Sequence, residues 1–118
     1  MIAIRGAITV EVDTPEQVFE ATTTLLSNIF EKNDVQISDV IAVHFSQTED
    51  VLSAYAAKAA RGMGLVNAAL FSALEPPVVG SLRKCIRVMV QIETEKKQAE
   101  AKHVYLRGAT VLRPDLTR

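Results

Sequence analysis

The chain has 118 residues and a mass of 12.9 kDa, the usual length of one domain, so a single domain over residues 1–118 is expected. Hydrophobic residues make up 48% and charged residues 23%, a globular balance that argues against a disordered chain. Thirteen Lys+Arg against 14 Asp+Glu leave a net charge of −1, without the basic excess of a nucleic-acid binder.

Ile2 to Val12 alternates in the manner of a strand. Ile2, Ile4, Ile8, Val10 and Val12 share one face, and Ala3, Arg5, Ala7, Thr9 and Glu11 share the other. Thr14-Pro15-Glu16-Gln17 then opens a helix: Thr14 caps, Pro15 suits the first turn, and Gln17 completes a capping-box spacing. Val18, Thr22, Leu25, Leu26, Ile29 and Phe30 form its apolar stripe, and it should end near Asn33. A second strand is expected over Val40 to Ser46, with Ile41, Val43 and Phe45 inward.

The alanine-rich stretch from Ser53 to Met63 is a strong helix former that Gly64 should terminate. Ala68 to Ser72 reads as a third strand, broken by Glu75-Pro76-Pro77 because neither proline can donate to a ladder. Lys84 to Thr94 is the longest strand. Ile86, Val88, Val90 and Ile92 point one way, and Cys85, Arg87, Met89 and Gln91 the other. Glu95 to Lys102 is a solvated connection or a short helix. His103 to Leu106 is a last strand that Thr110 to Leu112 could extend, and Arg113-Pro114-Asp115 closes the ordered part.

The order β-α-β-α-β-β-β gives an α/β (α+β) mixed sheet with two helices on one face. Two helices leave the opposite face, with Ala3, Ala7, Ala42, Cys85 and Met89, too apolar for water. A further copy of the chain in a closed ring would cover it, so a homo-oligomer is expected.

One cysteine, Cys85, excludes an internal disulfide and a cysteine-cluster metal site, and His44 and His103 lack zinc-ligand spacing. Cys85 reads as a buried structural thiol, and His44 and His103 as satisfied structural histidines. The N-terminus lacks a signal peptide's apolar run, and no stretch is long enough to span a bilayer, so a soluble cytoplasmic protein without membrane contact is expected. No catalytic triad, glycine-rich phosphate loop or H-E-x-x-H motif occurs.

Arg5 and Arg87 stand mid-strand among small or soft neighbours. Either alone is accounted for by pairing with a carboxylate at an interface or by laying its stem along apolar surface. Together with Glu75 at a strand end they suggest a site for a small dianion, since a guanidinium binds carboxylates bidentately and is no general base.

Several segments occur in a telling order. They are Ile4-Arg5-Gly6-Ala7-Ile8-Thr9-Val10, Lys58-Ala59-Ala60-Arg61, Gly80-Ser81-Leu82-Arg83-Lys84-Cys85-Ile86-Arg87-Val88, His103-Val104-Tyr105-Leu106 and Val111-Leu112-Arg113-Pro114-Asp115-Leu116. Across essentially the whole chain this set resembles the monofunctional, trimeric α/β chorismate mutases of the AroH class.

The resemblance implies an isomerase that converts chorismate to prephenate, the step toward phenylalanine and tyrosine, by an intramolecular Claisen rearrangement without cofactor or metal. It also implies a homotrimer with a pseudo-barrel-like β core and clefts between subunits. By resemblance, Arg87 is the cation set against the ether oxygen, Arg5 grips a substrate carboxylate, and Glu75 accepts a hydrogen bond from the ring hydroxyl. Phe71, Ser72, Ala73 and Leu74 line the cleft and Tyr105 contacts a carboxylate, while Tyr55, Lys58, Arg61, Leu112 and Arg113 close it from the adjacent subunit.

Ser72 stands where the family is familiar with cysteine, Tyr55 where phenylalanine occurs, and Ala56 where proline is common. The sequence ends soon after Leu116, so a longer C-terminal lid is not expected. Two other readings stand beside this one: a non-catalytic trimeric module binding small anions, and a nucleic-acid or partner-docking module, which net charge and a total of six aromatics disfavour.

Overall fold

The computed structural model describes residues 1–116. Seven main elements follow one another: β1 (Ile2–Thr9), α1 (Pro15–Asn33), β2 (Val40–Gln47), α2 (Ala56–Gly62), β3 (Ala69–Leu74), β4 (Cys85–Ile92) and β5 (Val104–Tyr105), with short 3-10 turns between and after them. The strands form one mixed sheet in the order β3-β2-β4-β1-β5. Strand β4 runs antiparallel to both β1 and β2, whereas β2–β3 and β1–β5 are parallel. A parallel pair needs a crossover, and α2 supplies it between β2 and β3.

Helix α1 begins as its sequence demands. Thr14 is extended (φ −130°, ψ 152°) and its hydroxyl accepts the Gln17 N–H, with Pro15 next in line. The reciprocal half of the expected capping box is absent: the Gln17 side-chain carbonyl accepts from Val12 N–H instead, at 3.0 Å. That bond belongs to a turn which ends β1 at Thr9 and leaves Val12 53% exposed rather than on the inner face. The helix ends at Asn33, where Asp34 turns left-handed (φ 54°) and the Val35 N–H returns to the Phe30 carbonyl.

Val18, Ala21, Leu25, Leu26 and Ile29 of α1 pack with Ile4, Ile8, Val43, Phe45, Ile86, Val88 and Val90 of the sheet and Ala56, Ala57 and Ala60 of α2. Each large side chain buried there contributes about 1.5–3 kcal/mol. Gly6 permits a close approach of α1 to β1. A Cβ at that position would lie 2.8 Å from Ile29 Cδ1 and 3.0 Å from the Val104 carbonyl oxygen.

Several boundaries differ from the sequence expectation. Helix α2 starts at Ala56 rather than Ser53: the Val51 and Ala54 carbonyls are taken by the Gln47 side-chain amide instead of by a following helical turn. Strand β3 runs on to Leu74 in register with Gln47. In β2 an irregularity between Val40 and Ala42 turns Ile41 out of the core, to 40% exposure. Thr110 to Leu112 does not extend β5: Arg107 takes φ 55° and the chain enters a 3-10 helix, Arg107–Leu112.

That helix changes the account of the second sheet face. Ala7 and Cys85 are buried by the chain's own Tyr105 and Ala109, with Leu82 and Leu112 packed at the side. Among the described residues, the part around Arg5, His44, Phe71 and Met89 stays open.

Candidate functional site

Register places the polar side chains of this open face in two rows. Ala73 pairs with Ser46, Ser46 with Arg87, Arg87 with Ala7, and Ala7 with Tyr105, so five strands contribute one residue each to a single line. The adjacent row is Phe71, His44, Met89 and Arg5. Arg5 and Arg87 are therefore diagonal neighbours on one face, roughly 7–8 Å apart by strand geometry.

Glu75 follows β3, and its N–H is fixed by the Gln47 carbonyl at 2.8 Å. Its carboxylate turns onto the same face. One oxygen accepts the Ser46 hydroxyl, and the other lies 3.6 Å from Arg87 Nε. The two side chains are 33% (Arg87) and 23% (Glu75) exposed. Arg87 Nε itself is buried, and among the described residues it has no hydrogen-bond partner. A buried N–H without an acceptor is costly, and the position suits an incoming oxygen.

A shallow cleft of about 260 Å³ opens here, lined by Arg5, His44, Phe45, Ser46, Phe71, Ala73, Arg87, Val88 and Met89. His44 thus lies on the open face rather than in the apolar setting its strand suggested. Its ring stands 6.3 Å from that of Phe71, and Nε2 is 3.3 Å from the Gln91 side-chain oxygen. His103 does have a structural role: Nδ1 accepts the Arg5 backbone N–H at 2.9 Å. Burial, and then the charges of Arg113 and Arg5, hold its pKa below the ordinary imidazole value. Cys85 is an inert thiol, pushed up to about 11 by burial, against the opposing charge of Arg87.

The proposed lining segment divides between two surfaces. Phe71 and Ala73 join Arg87, whereas Ser72 and Leu74 alternate to the other side of β3. There they line a second cleft of about 260 Å³ with Tyr55, Gln47, Thr48 and Val51, and Ala73 borders both clefts. Helix α2 packs through its alanines into the main core, so Lys58 and Arg61 stand on the opposite side of the sheet from Arg87 of the same chain. Lys58 Nζ lies 5.9 Å over the Phe19 ring. Tyr105 is buried at the end of Arg87's row, Leu112 packs beside it, and Arg113 pairs with Asp115 at 3.1 Å.

Within one chain, then, Arg5, Glu75, Phe71, Ala73, Arg87 and Tyr105 share a face, while Tyr55, Lys58 and Arg61 do not reach it. Ser46 escaped sequence reasoning. Alternation along β2 was visible, but only the pairing of β2 with both β3 and β4 puts its hydroxyl beside Glu75.

Two arginines and one anchored carboxylate on one face can hold a small dianion. Among the described residues no group of His, Cys, Asp and Glu is arranged to hold a metal ion. No helix among them is long and apolar enough to cross a membrane.

Residues 1–116 match the family model described as chorismate mutase type I. A chorismate mutase AroH of Thermus thermophilus is 50% identical over 114 residues, spanning 96% of this chain and 93% of that protein. A chorismate mutase AroH of Bacillus subtilis (strain 168) is 42% identical over 115 residues, spanning 97% and 91%. The solved structure of a chorismate mutase from Clostridium thermocellum superposes with a TM-score of 0.91 at 44% identity, over 94% of this chain and 99% of that one.

Proposed function

Because the chain belongs to the chorismate mutase type I family, we propose that it isomerises chorismate to prephenate in aromatic amino-acid biosynthesis, in clefts completed by neighbouring subunits of a homotrimer. The observation that carries this reading is Arg87, which lines one cleft with Arg5 and holds a buried Nε–H without an acceptor, 3.6 Å from the anchored Glu75 carboxylate.

The reaction breaks a C–O bond and forms a C–C bond within one molecule, and no proton changes hands. What a protein can supply is charge where the ether oxygen turns anionic, and a folded conformation of the reactant. Arg87 supplies the charge. Arg5 grips a carboxylate, with its backbone tied down by His103, and Glu75 accepts the ring hydroxyl while Ser46 fixes its carboxylate. Tyr105 closes the row at the other carboxylate. A million-fold acceleration requires about 8 kcal/mol. One preorganised donor is worth about 3–4 kcal/mol, and positioning can provide the rest.

The trimer is supported by the open half of the sheet face and its edge, where Phe71 is 64%, Leu74 63% and Tyr55 69% exposed in the single chain. Tyr55, Lys58, Arg61, Leu112 and Arg113 then act on the neighbour's cleft. A cytoplasmic location follows from the biosynthetic role.

The direct test mixes purified protein with chorismate and follows the loss of its ultraviolet absorbance. Saturable acceleration over the spontaneous reaction is expected. Absence of acceleration, with binding of small dicarboxylates retained, would replace the enzyme by a non-catalytic anion-binding module.

A further inference from the structure

Gln47 ends β2 with its side chain on the helix side of the sheet, and both the nitrogen and the oxygen of its amide are engaged. Nε2 donates to the carbonyls of Val51 and Ala54, both at 3.1 Å, and Oε1 accepts the Ala56 N–H at 2.8 Å. The last bond matters because Tyr55, the residue at the cap of α2, offers no side-chain cap to the first turn. A side chain from the sheet therefore does the work of an N-cap for a helix nine residues further on. The residue's own carbonyl meanwhile accepts the Glu75 N–H.

Gln47 thus fixes, through its side chain, the segment that carries Tyr55 and then Lys58, and through its backbone the segment that carries Glu75. The two lie on opposite sides of the sheet. If each cleft is built from two subunits, these segments serve two different clefts.

We propose that Gln47 is a positioning residue acting in trans: its amide sets Tyr55 and the start of α2 for the substrate-binding wall of the adjacent subunit's cleft. The inference rests on the chorismate mutase reading and on the interface site. It assigns Gln47 to substrate capture, because Arg87 and the ether oxygen it addresses are not touched by the amide.

The test uses the intact oligomer. Gln47→Met keeps length and bulk and removes all three amide bonds. Gln47→Glu keeps an acceptor for Ala56 and loses both donors. Gln47→Met should raise KM about tenfold with kcat within about threefold, and Gln47→Glu should fall between it and the wild type. Oligomers isolated with one Gln47→Met and two Arg87→Ala subunits should regain the wild-type KM, because their single cleft with an intact Arg87 meets an intact α2 wall.

An unchanged KM in Gln47→Met, equal losses in kcat and kcat/KM, or a raised KM persisting in the mixed oligomers would overturn the assignment. Wild-type turnover in the same assay separates the failures. An inactive wild type sinks the reading of the site, and an active one with unresponsive variants sinks the role of Gln47 alone.

Discussion

Replacing Arg87 by alanine should separate catalysis from stability, and the structure says by how much. The guanidinium lies 3.6 Å from one Glu75 oxygen without a hydrogen bond from Nε, and a third of its side chain is exposed. A pair of that kind is worth about 0–1 kcal/mol to folding. Truncation also removes a buried N–H that has no acceptor, which offsets part of the loss. Melting should therefore move by no more than about 4–8 °C.

Against a negative charge developing about 4 Å away, one positive charge is worth about 4 kcal/mol at the effective dielectric of a partly exposed site. That corresponds to about a thousand-fold in kcat/KM. The loss should fall on kcat, since the interaction strengthens as the C–O bond breaks. Arg87→Lys keeps the charge on a compact head without the planar fork, so recovery should be partial. Initial rates on chorismate, calorimetric melting and sedimentation of each variant provide the measurements. A loss of activity below tenfold, or one matched by dissociation and a collapse in melting temperature, would show that Arg87 is a structural residue.

Two further outcomes follow from protonation. The folded chain keeps the Cys85 proton to about pH 11, whereas the unfolded chain releases it near 9.0. Stability should be full below pH 9 and fall by about 2–3 kcal/mol through pH 11, and chemical denaturation of Cys85→Ala should show a shallower decline. His103 behaves oppositely: the unfolded chain binds its proton more tightly than the folded one. Its contribution is complete above the ordinary imidazole pKa near 6.5 and lost as the pH falls below it, when the acceptor of the Arg5 N–H becomes a donor. KM should rise over the same acidic range, and His103→Gln, which keeps an acceptor, should flatten both profiles. An unaltered slope in that variant would exclude His103.

The sequence by itself determined much of this protein. Alternation at Ile2 to Val10 and Ile86 to Ile92 reports which face of each strand is buried, because that depends only on the two-residue period of the backbone. Thr14 and Pro15 mark the start of α1, and the run of alanines marks α2, since capping and propensity are local. The family resemblance, carried by the ordered segments from Ile4 to Leu116, proposed Arg87, Glu75 and Arg5 as site residues, and the fold brings the three to one face.

What tertiary structure decided is everything that depends on which strands are neighbours. Periodicity assigns Ser46 and Arg87 to faces but cannot make them partners, and no local signal sets the irregularity that expels Ile41 or the left-handed Arg107 that ends β5. The division of Phe71 and Ala73 from Ser72 and Leu74 has the same origin. Alternation was legible, yet only packing of α2 beneath the sheet shows that Phe71 lines one cleft and Ser72 and Leu74 another, with Ala73 bordering both. Gln47 reads in the sequence as a polar residue after a strand, and its three amide bonds exist only because the chain returns over it between Val51 and Ala56. Side-chain facing is a property of the backbone repeat, whereas a site is a meeting of distant segments, and that meeting is fixed by the whole fold.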